Sequence, residues 1–251
     1  MLLKEKSVVV TGAAAGIGLG IAKRMAAEGA RVVIADIDRN LGAAEARRLS
    51  KQGAGAWFVP FDAADVDSIQ QMADEAIALT GGVDVVVNNA GVTSRIGLLE
   101  LTPNDWDWIQ SINTRGLFFC LQAFARHMVA RKQGRIINIA SISGKGAKGA
   151  SNASYAASKA AAISVSRIAA EELGKHGINV NSICPGLTRS PLLERLAAQD
   201  SAILDRMTEG TALQRIAEPD DIGSAAVFLA SRLSSSITGQ SLNVDNGTIW
   251  D

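Results

Sequence analysis

At 251 residues, 47% of them hydrophobic, the chain is long enough to bury one well-developed core, and a single domain spanning 1–251 is the economical expectation. Its 25 basic and 25 acidic residues cancel to a formal net charge of zero, and no basic tract appears, which argues against nucleic acid or an anionic membrane as a partner. No apolar run reaches the roughly 18 residues that a membrane-spanning helix requires, and Met1 to Lys6 lack a signal-peptide core, so a cytoplasmic protein is expected.

The first element, Lys6-Ser7-Val8-Val9-Val10-Thr11, reads as a short buried strand. It breaks on Gly12-Ala13-Ala14-Ala15-Gly16-Ile17-Gly18 into a helical stretch ending near Glu28. A strand that turns on glycines into a helix N-terminus aims unpaired N–H groups at one spot, and the helix dipole favours an anion there. A pyrophosphate suits that spot: Gly12 permits the tight turn, Gly16 the approach of phosphate and Gly18 the packing of helix on strand. The spacing is GxxxGxG, so the general GxGxxG dinucleotide pattern is met only in part. No GK[ST] follows, which argues against a triphosphate P-loop.

A second strand, Arg31 to Asp36, ends in an acid eighteen residues after Gly18. A carboxylate there accepts hydrogen bonds from adenosine ribose hydroxyls and repels a 2′-phosphate. Ala15 supplies no cation to offset that repulsion, so both positions favour NAD over NADP. Further strands are expected at about 56–60, 83–88, 134–139, 178–184 and 241–245, with helices near 17–28, 39–51, 65–79, 103–131 and 154–175. The strand at 83–88 runs into Asn88-Asn89-Ala90-Gly91, a turn small enough for backbone to approach a ligand, and the strand at 134–139 delivers Ser141 and Ser143. Alternating βα units of this length predict an α/β fold, one parallel sheet with helices on both faces.

Tyr155 and Lys159 stand four apart in a helical run without Gly or Pro, so a phenol and an ammonium project from one face. A nearby cation favours phenolate and is expected to lower the phenol pKa from its usual value of about 10, making a proton donor and acceptor near neutrality. Cys120, in a predicted helix, and Cys184, at a strand end, read as reduced core residues. His127 and His176 are placed on helix-end surfaces away from any acid or thiol cluster, and no metal site is expected.

The ordered set TGxxxGxG, NNAG, a serine after a strand, YxxxK and Pro185-Gly186 resembles the short-chain dehydrogenase/reductase family over nearly the whole chain, Lys6 to about Gly247. The resemblance implies a doubly wound Rossmann sheet and transfer of hydride between a secondary alcohol or its ketone and a nicotinamide cofactor, here NAD. It implies that Tyr155 is the general acid/base, that Lys159 lowers its pKa and holds the nicotinamide ribose, that Ser141 bonds the substrate oxygen and that Asn113 anchors a water of the proton relay. Ser143 competes with Ser141 for that role, and Ser141 is preferred because it begins a Ser-x-x-Gly ending at Gly144. The resemblance also assigns Gly12, Gly16, Ile17 and Gly18 to the pyrophosphate, Asp36 to the ribose and Asp62 to the adenine amino group, although Asp62 can equally cap the helix that follows. Asn88, Ala90 and Gly91 line the nucleoside, and Pro185, Gly186 and Thr188 face the nicotinamide. Three positions depart from the family's pattern: Ser190 replaces the usual Thr, Thr188 occupies a commonly aliphatic site, and Asn246 stands where Gly is common.

Residues 188–217, irregular after the Pro185-Gly186 break, are the expected substrate lid. Arg95, Lys145, Lys148 and Arg189 fall on loops that open on the ligand edge and would favour a polar substrate, so a sugar, polyol or hydroxy acid is placed ahead of a steroid or long acyl chain; Trp250 would instead mark an apolar wall. Two alternatives are a 3-ketoacyl-thioester reductase using NADPH and a non-catalytic NAD-binding regulator. The alanine-rich helix at 154–173 has small residues on too many faces for a monomer and, with the helix at 103–131, resembles the paired helices by which the family forms homodimers and homotetramers.

Overall fold

The computed structural model describes residues 1–147, 151–190, 193 and 208–250. Seven parallel strands form one sheet in the order β3-β2-β1-β4-β5-β6-β7, where β1 is Ser7–Thr11, β2 Arg31–Asp36, β3 Ala56–Pro60, β4 Val85–Asn88, β5 Gly134–Ile139, β6 Ile178–Pro185 and β7 Ser241–Val244. Their Val- and Ile-rich sequences suit strands covered on both faces. Among the described residues the helices are α1 Gly16–Ala27, α2 Arg39–Lys51, α3 Val66–Thr80, α4 Pro103–Gln110, α5 Leu117–Arg131, α6 Ala153–Gly174 and α7 Pro219–Ala230.

Side-chain alternation divides the core. Val8, Val10, Val32, Ile34, Val85 and Val87 face α1, α2 and α7, with Ile21, Met25, Leu49 and Ile222 packed on them. Val9, Val33, Val86, Ile136 and Val180 face α3, α5 and α6, where Ile69, Met72, Phe124 and Met128 complete the layer. Successive strand residues point to opposite faces, so one β-branched run feeds both cores. Each fully buried aliphatic contributes roughly 1.5–3 kcal/mol of transfer free energy. The strand order reverses between β1 and β4, and that reversal opens a crevice at the C-terminal ends of the strands.

Two elements differ from the sequence expectation. The helix expected over 103–131 is three segments: α4, a π-helical turn at Ser111–Gly116, and α5. The wide turn coincides with two close attachments. A Cβ on Gly116 would stand 2.2 Å from the Ala63 carbonyl oxygen, and the Asn113 amide is bonded to the Val92 backbone. π turns of this kind recur at functional sites. The second difference is α7, absent from the expected elements although Pro219 stands in its first turn and Asp221 accepts the Glu218 N–H at 2.8 Å.

Of the expected lid at 188–217, the described parts are Thr188 to Ser190, Leu193 and Thr208 to Ala217. Their ends meet: Thr188 and Ala217 form a parallel bridge, Arg189 N–H donates to Ala217 O at 2.8 Å, and Arg189 Nε reaches Glu218 Oε1 at 2.7 Å. Lys148 lies outside the described residues, and the remainder of the lid does too. No helix among the described residues is long and apolar enough to cross a membrane.

Candidate active site

The glycine loop follows directly from β1. Gly12 and Gly16 have φ of +62° and +56°, values that disfavour any side chain. A Cβ on Gly12 would fall 2.8 Å from Ala90 Cα, and one on Gly18 would fall 2.2 Å from Gly12 O, whereas one on Gly16 would meet nothing within 4 Å. The space above Gly16 is therefore open to a ligand. No side chain caps α1 and its first turn carries no acid, while Asp38, Asp65, Thr102 and Asn152 cap α2, α3, α4 and α6. The first N–H groups of α1 thus form an anion cradle, and the geometry fits the pyrophosphate of a dinucleotide.

Two residues that the sequence reading passed over hold this cradle. Asn89 Nδ2 donates to the carbonyls of Thr11 (2.9 Å) and Gly12 (3.0 Å), and Thr11 Oγ1 accepts the N–H groups of Asn89 (3.0 Å) and Ala90 (3.1 Å). The signal was the pair of motifs itself, since two small-residue turns on adjacent strands β1 and β4 have to meet. Asp36, at the end of β2, accepts the N–H of Ala14 at 2.8 Å and that of Asp38 at 3.0 Å. Its charge is pinned beside the loop. Asp62 accepts the Ala64 N–H at 2.9 Å, a local turn, and the cap of α3 is Asp65. Ile17, in the first turn of α1, packs against the core. Asn88 is buried and donates to Asn138 Oδ1 at 2.8 Å, and Asn138 donates on to Ser166. The Asn88 amide N–H₂ is thereby committed to the sheet interior.

At the same sheet edge, Ser141 caps and Ser143 lies within a short 3₁₀ turn, Ile142–Lys145, that packs on α6 so closely that a Cβ on Gly144 would lie 2.5 Å from the Lys159 carbonyl carbon. The Ser141 hydroxyl donates to Ser143 Oγ and accepts the Ser143 N–H, both at 3.1 Å. The Ser141 hydroxyl is also near enough to the Tyr155 phenol to favour its phenolate form. Gly91 brings in the remaining groups, because a Cβ there would stand 3.2 Å from Asn113 Oδ1 and 3.4 Å from Lys159 Nζ. Asn113 is fully buried; its Oδ1 accepts the Val92 N–H at 2.8 Å, and its Nδ2 donates to Val92 O at 2.9 Å and Ser158 Oγ at 3.1 Å. Opposite, Gly186 donates to Val244 O, and Thr188 Oγ1 donates to Gly186 O at 3.1 Å, placing the turn after Pro185 beside the same crevice.

The electrostatics correct one expectation. Lys159 Nζ lies 5.6 Å from the Tyr155 ring centroid and donates to Ile139 O at 2.8 Å. Burial depresses its pKa to about 8, opposed by the neighbouring Cys184 thiol. The Tyr155 phenol is shifted above its ordinary value because burial disfavours phenolate, and the Ser141 hydrogen bond opposes that rise. Burial, and not the Lys159 charge, sets the direction of the phenol's shift here. The Lys159 ammonium faces the Ile139 carbonyl.

Of the cations expected around the mouth, Lys148 lies outside the described residues, and two of the others are engaged elsewhere. Lys145 Nζ turns to Ser241 O at 3.0 Å, at the β7 edge, and Arg189 is ion-paired with Glu218; Arg95 is exposed. Thr93, after the NNAG turn, and Ser151, before α6, are hydrogen-bonded to each other at 2.5 Å. Trp250, 82% exposed, borders a concavity with Lys145, Ser164 and Arg167 against a different face of α6. His127 also departs from its expected place, being half-buried one turn before the end of α5 and accepting the Val83 N–H at 3.2 Å. Cys120 and Cys184 are buried thiols; burial pushes Cys120 up to about 12. Among the described residues no group of three or more His, Cys, Asp or Glu could hold a metal ion.

A family model described as enoyl-(acyl carrier protein) reductase matches residues 12–248. The chain is 37% identical over 248 residues to the (2S)-[(R)-hydroxy(phenyl)methyl]succinyl-CoA dehydrogenase subunit of Thauera aromatica, covering 98% of each chain. It is 38% identical over 256 residues to galactitol 2-dehydrogenase of Agrobacterium fabrum, again covering 98% of each. Among solved structures, it resembles a gluconate 5-dehydrogenase from Burkholderia cenocepacia, crystallised with NADP and tartrate, at a TM-score of 0.92 and 36% identity over 98% of this chain and 96% of that one.

Proposed function

The chain belongs to the short-chain dehydrogenase/reductase family, and we propose that it interconverts a small polar secondary alcohol and its ketone with NAD as the preferred cofactor. The family makes it an oxidoreductase that binds a nicotinamide cofactor. The observation that carries the finer reading is the convergence of Ser141, Tyr155 and Lys159 at the strand edge next to an uncapped glycine loop. A bound nicotinamide supplies the hydride acceptor or donor. In oxidation the Tyr155 phenolate removes the hydroxyl proton of the substrate, and in reduction the phenol returns one to the carbonyl oxygen. Ser141 holds that oxygen. Lys159 is the cation for the nicotinamide ribose, and Asn113, whose amide is committed to Val92 and Ser158, meets the relay water through its main chain.

Gly12, Gly16, Ile17 and Gly18 take the pyrophosphate, and Asp36 takes the adenosine ribose and rejects a 2′-phosphate. Asp62 faces the adenine, Asn88, Ala90 and Gly91 the nucleoside, and Pro185, Gly186 and Thr188 the nicotinamide. The paired hydroxyls of Ser141 and Ser143 beside Tyr155 support a sugar, polyol or hydroxy acid, in keeping with the galactitol and gluconate dehydrogenases among the relatives. Reduction of an acyl-thioester ketone is the second reading; the description of the family model and the succinyl-CoA relative favour it. Exposed apolar residues on α5 and α6 support assembly into a homodimer or homotetramer across those helices.

The test is an NADH-absorbance assay over polyols, sugars, hydroxy acids and ketoacyl thioesters, each with NAD(H) and NADP(H). Turnover of a polyol, sugar or hydroxy acid with higher kcat/KM for NAD is the expected result, and Asp36→Ala should narrow the cofactor preference. Equal efficiency with both cofactors in the unaltered protein would remove the argument from Asp36, and turnover of thioesters alone would establish the second reading.

A further inference from the structure

We propose that Asn152 is a positioning residue that fixes the loop Val92 to Ser94 against the helix carrying Tyr155, so that the substrate is held at the phenol. The inference rests on the reading of Tyr155 as the proton-transfer group. Asn152 is 5% exposed and uses both ends of its amide. Its Oδ1 accepts the Tyr155 N–H at 2.8 Å, capping the first turn of α6. Its Nδ2 donates to Ser94 O at 2.7 Å and Ser94 Oγ at 3.1 Å, across 58 residues of sequence. One planar group therefore ties the backbone of the acid/base residue to the loop after the NNAG turn.

A cap needs only an acceptor, and Ser, Thr or Asp would serve. The pair of donor contacts to Ser94 is additional, and it completes a three-point attachment. Asn113 grips both the N–H and the carbonyl of Val92, Thr93 bonds Ser151, and Asn152 grips Ser94. The loop is thus pinned at three consecutive residues, from the π turn on one side and the start of α6 on the other. Without the third point, the loop is free to move at Ser94 relative to the start of α6. Misplacement by about 1 Å at a reacting centre costs on the order of 10²-fold in rate.

Asn152→Asp keeps the shape and the cap while deleting the donors, and Asn152→Ser keeps the cap and is too short to reach Ser94. Steady-state kinetics on the best alcohol, the NADH dissociation constant and the melting temperature are measured for both. The expected result is a fall in kcat on the order of 10- to 100-fold, with NADH affinity retained and, for the serine variant, a melting temperature close to that of the unaltered protein. Unaltered kcat and KM in either folded variant would reduce Asn152 to a simple cap and overturn the proposal, as would loss of NADH affinity in step with turnover. Tyr155→Phe separates the two readings: retained turnover there refutes the proton-transfer role, whereas lost turnover there with full activity in both Asn152 variants refutes this inference alone.

Discussion

A phenol enclosed by protein is a weaker acid than one in water, and at Tyr155 this effect outweighs the hydrogen bond from Ser141. Tyr155 is the only tyrosine in the chain, so the ultraviolet absorbance of phenolate reports on it alone. Titration of the protein without added cofactor should give a midpoint above the ordinary value of about 10, and Ser141→Ala should move it higher by removing the group that favours phenolate. A midpoint at or below 10 would show that Lys159 governs the phenol after all. With phenolate as the proposed base for oxidation, alcohol oxidation should rise with pH while carbonyl reduction persists at lower pH. Tyr155→Phe keeps the ring and removes the proton, and turnover should drop on the order of 10²–10⁴-fold with NADH binding intact. Near-normal turnover in that variant would contradict the assigned role.

Among the elements, the glycine loop shows how a single atom separates stability from binding. At Gly18 an added Cβ meets the Gly12 carbonyl and the Asn89 amide, so Gly18→Ala should cost about 1–3 kcal/mol of folding stability through overpacking. At Gly16 the added atom meets no protein, and Gly16→Ala should cost about 1–2 kcal/mol from the left-handed backbone, yet fill the space where a phosphate approaches. Thermal unfolding with and without NADH distinguishes the two losses: Gly16→Ala should lose the stabilisation that a bound ligand confers, and an undiminished NADH shift in this variant would place the phosphates elsewhere. The loop was legible in sequence because glycines breaking an apolar strand have few other uses, and Tyr155 with Lys159 because a spacing of four fixes a shared helix face. The π turn was not legible, since a hydrophobic period of 3.6 does not register one widened turn in a long apolar helix. Helix α7 escaped because Gly223 and the acids at its start blur a short pattern. The direction of the Lys159 ammonium depends on Ile139, twenty residues away, and no local spacing encodes it. His127 is a similar case. It accepts the Val83 N–H and therefore has to be neutral there, and burial, then Arg131, lower its pKa against the pull of Asp84. The unfolded chain binds a proton near pH 6.5 and the folded chain only below that, so stability should fall as pH drops from about 7 to about 5. His127→Gln, which keeps an acceptor without a titration, should flatten that slope; identical slopes would exclude His127 as its source.

At the scale of the molecule, the sheet places all the chemistry at one edge and leaves the outer faces of α4, α5 and α6 to the surroundings. Those faces are not polar. Trp106, Trp108, Phe118 and Ile168 are 41%, 45%, 41% and 54% exposed, and a groove between α5 and α6 is lined by Leu121, Ala125, Val165, Ala169 and Leu173 beside them. Ala157, Ala160 and Ser164 keep the exposed side of α6 low enough for another backbone to approach. Clustered aromatic and aliphatic side chains of this kind mark an interface, and two copies packing through these helices would bury them. The same helices carry the site: α6 bears Tyr155 and Lys159, the π turn bears Asn113, and Gln110 of α4 donates to Ser154 O at 2.9 Å and to Ser154 Oγ at 3.0 Å. Assembly would therefore support from outside the helix that bears Tyr155, whose first turn Asn152 caps from within. Sedimentation velocity at micromolar concentration should show a dimer or tetramer. Phe118→Asp combined with Ile168→Glu should shift the protein toward monomer and lower specific activity, since neither residue touches the crevice but both flank its supports. A monomeric unaltered protein, or a monomeric variant with full activity, would sever the link between assembly and the site.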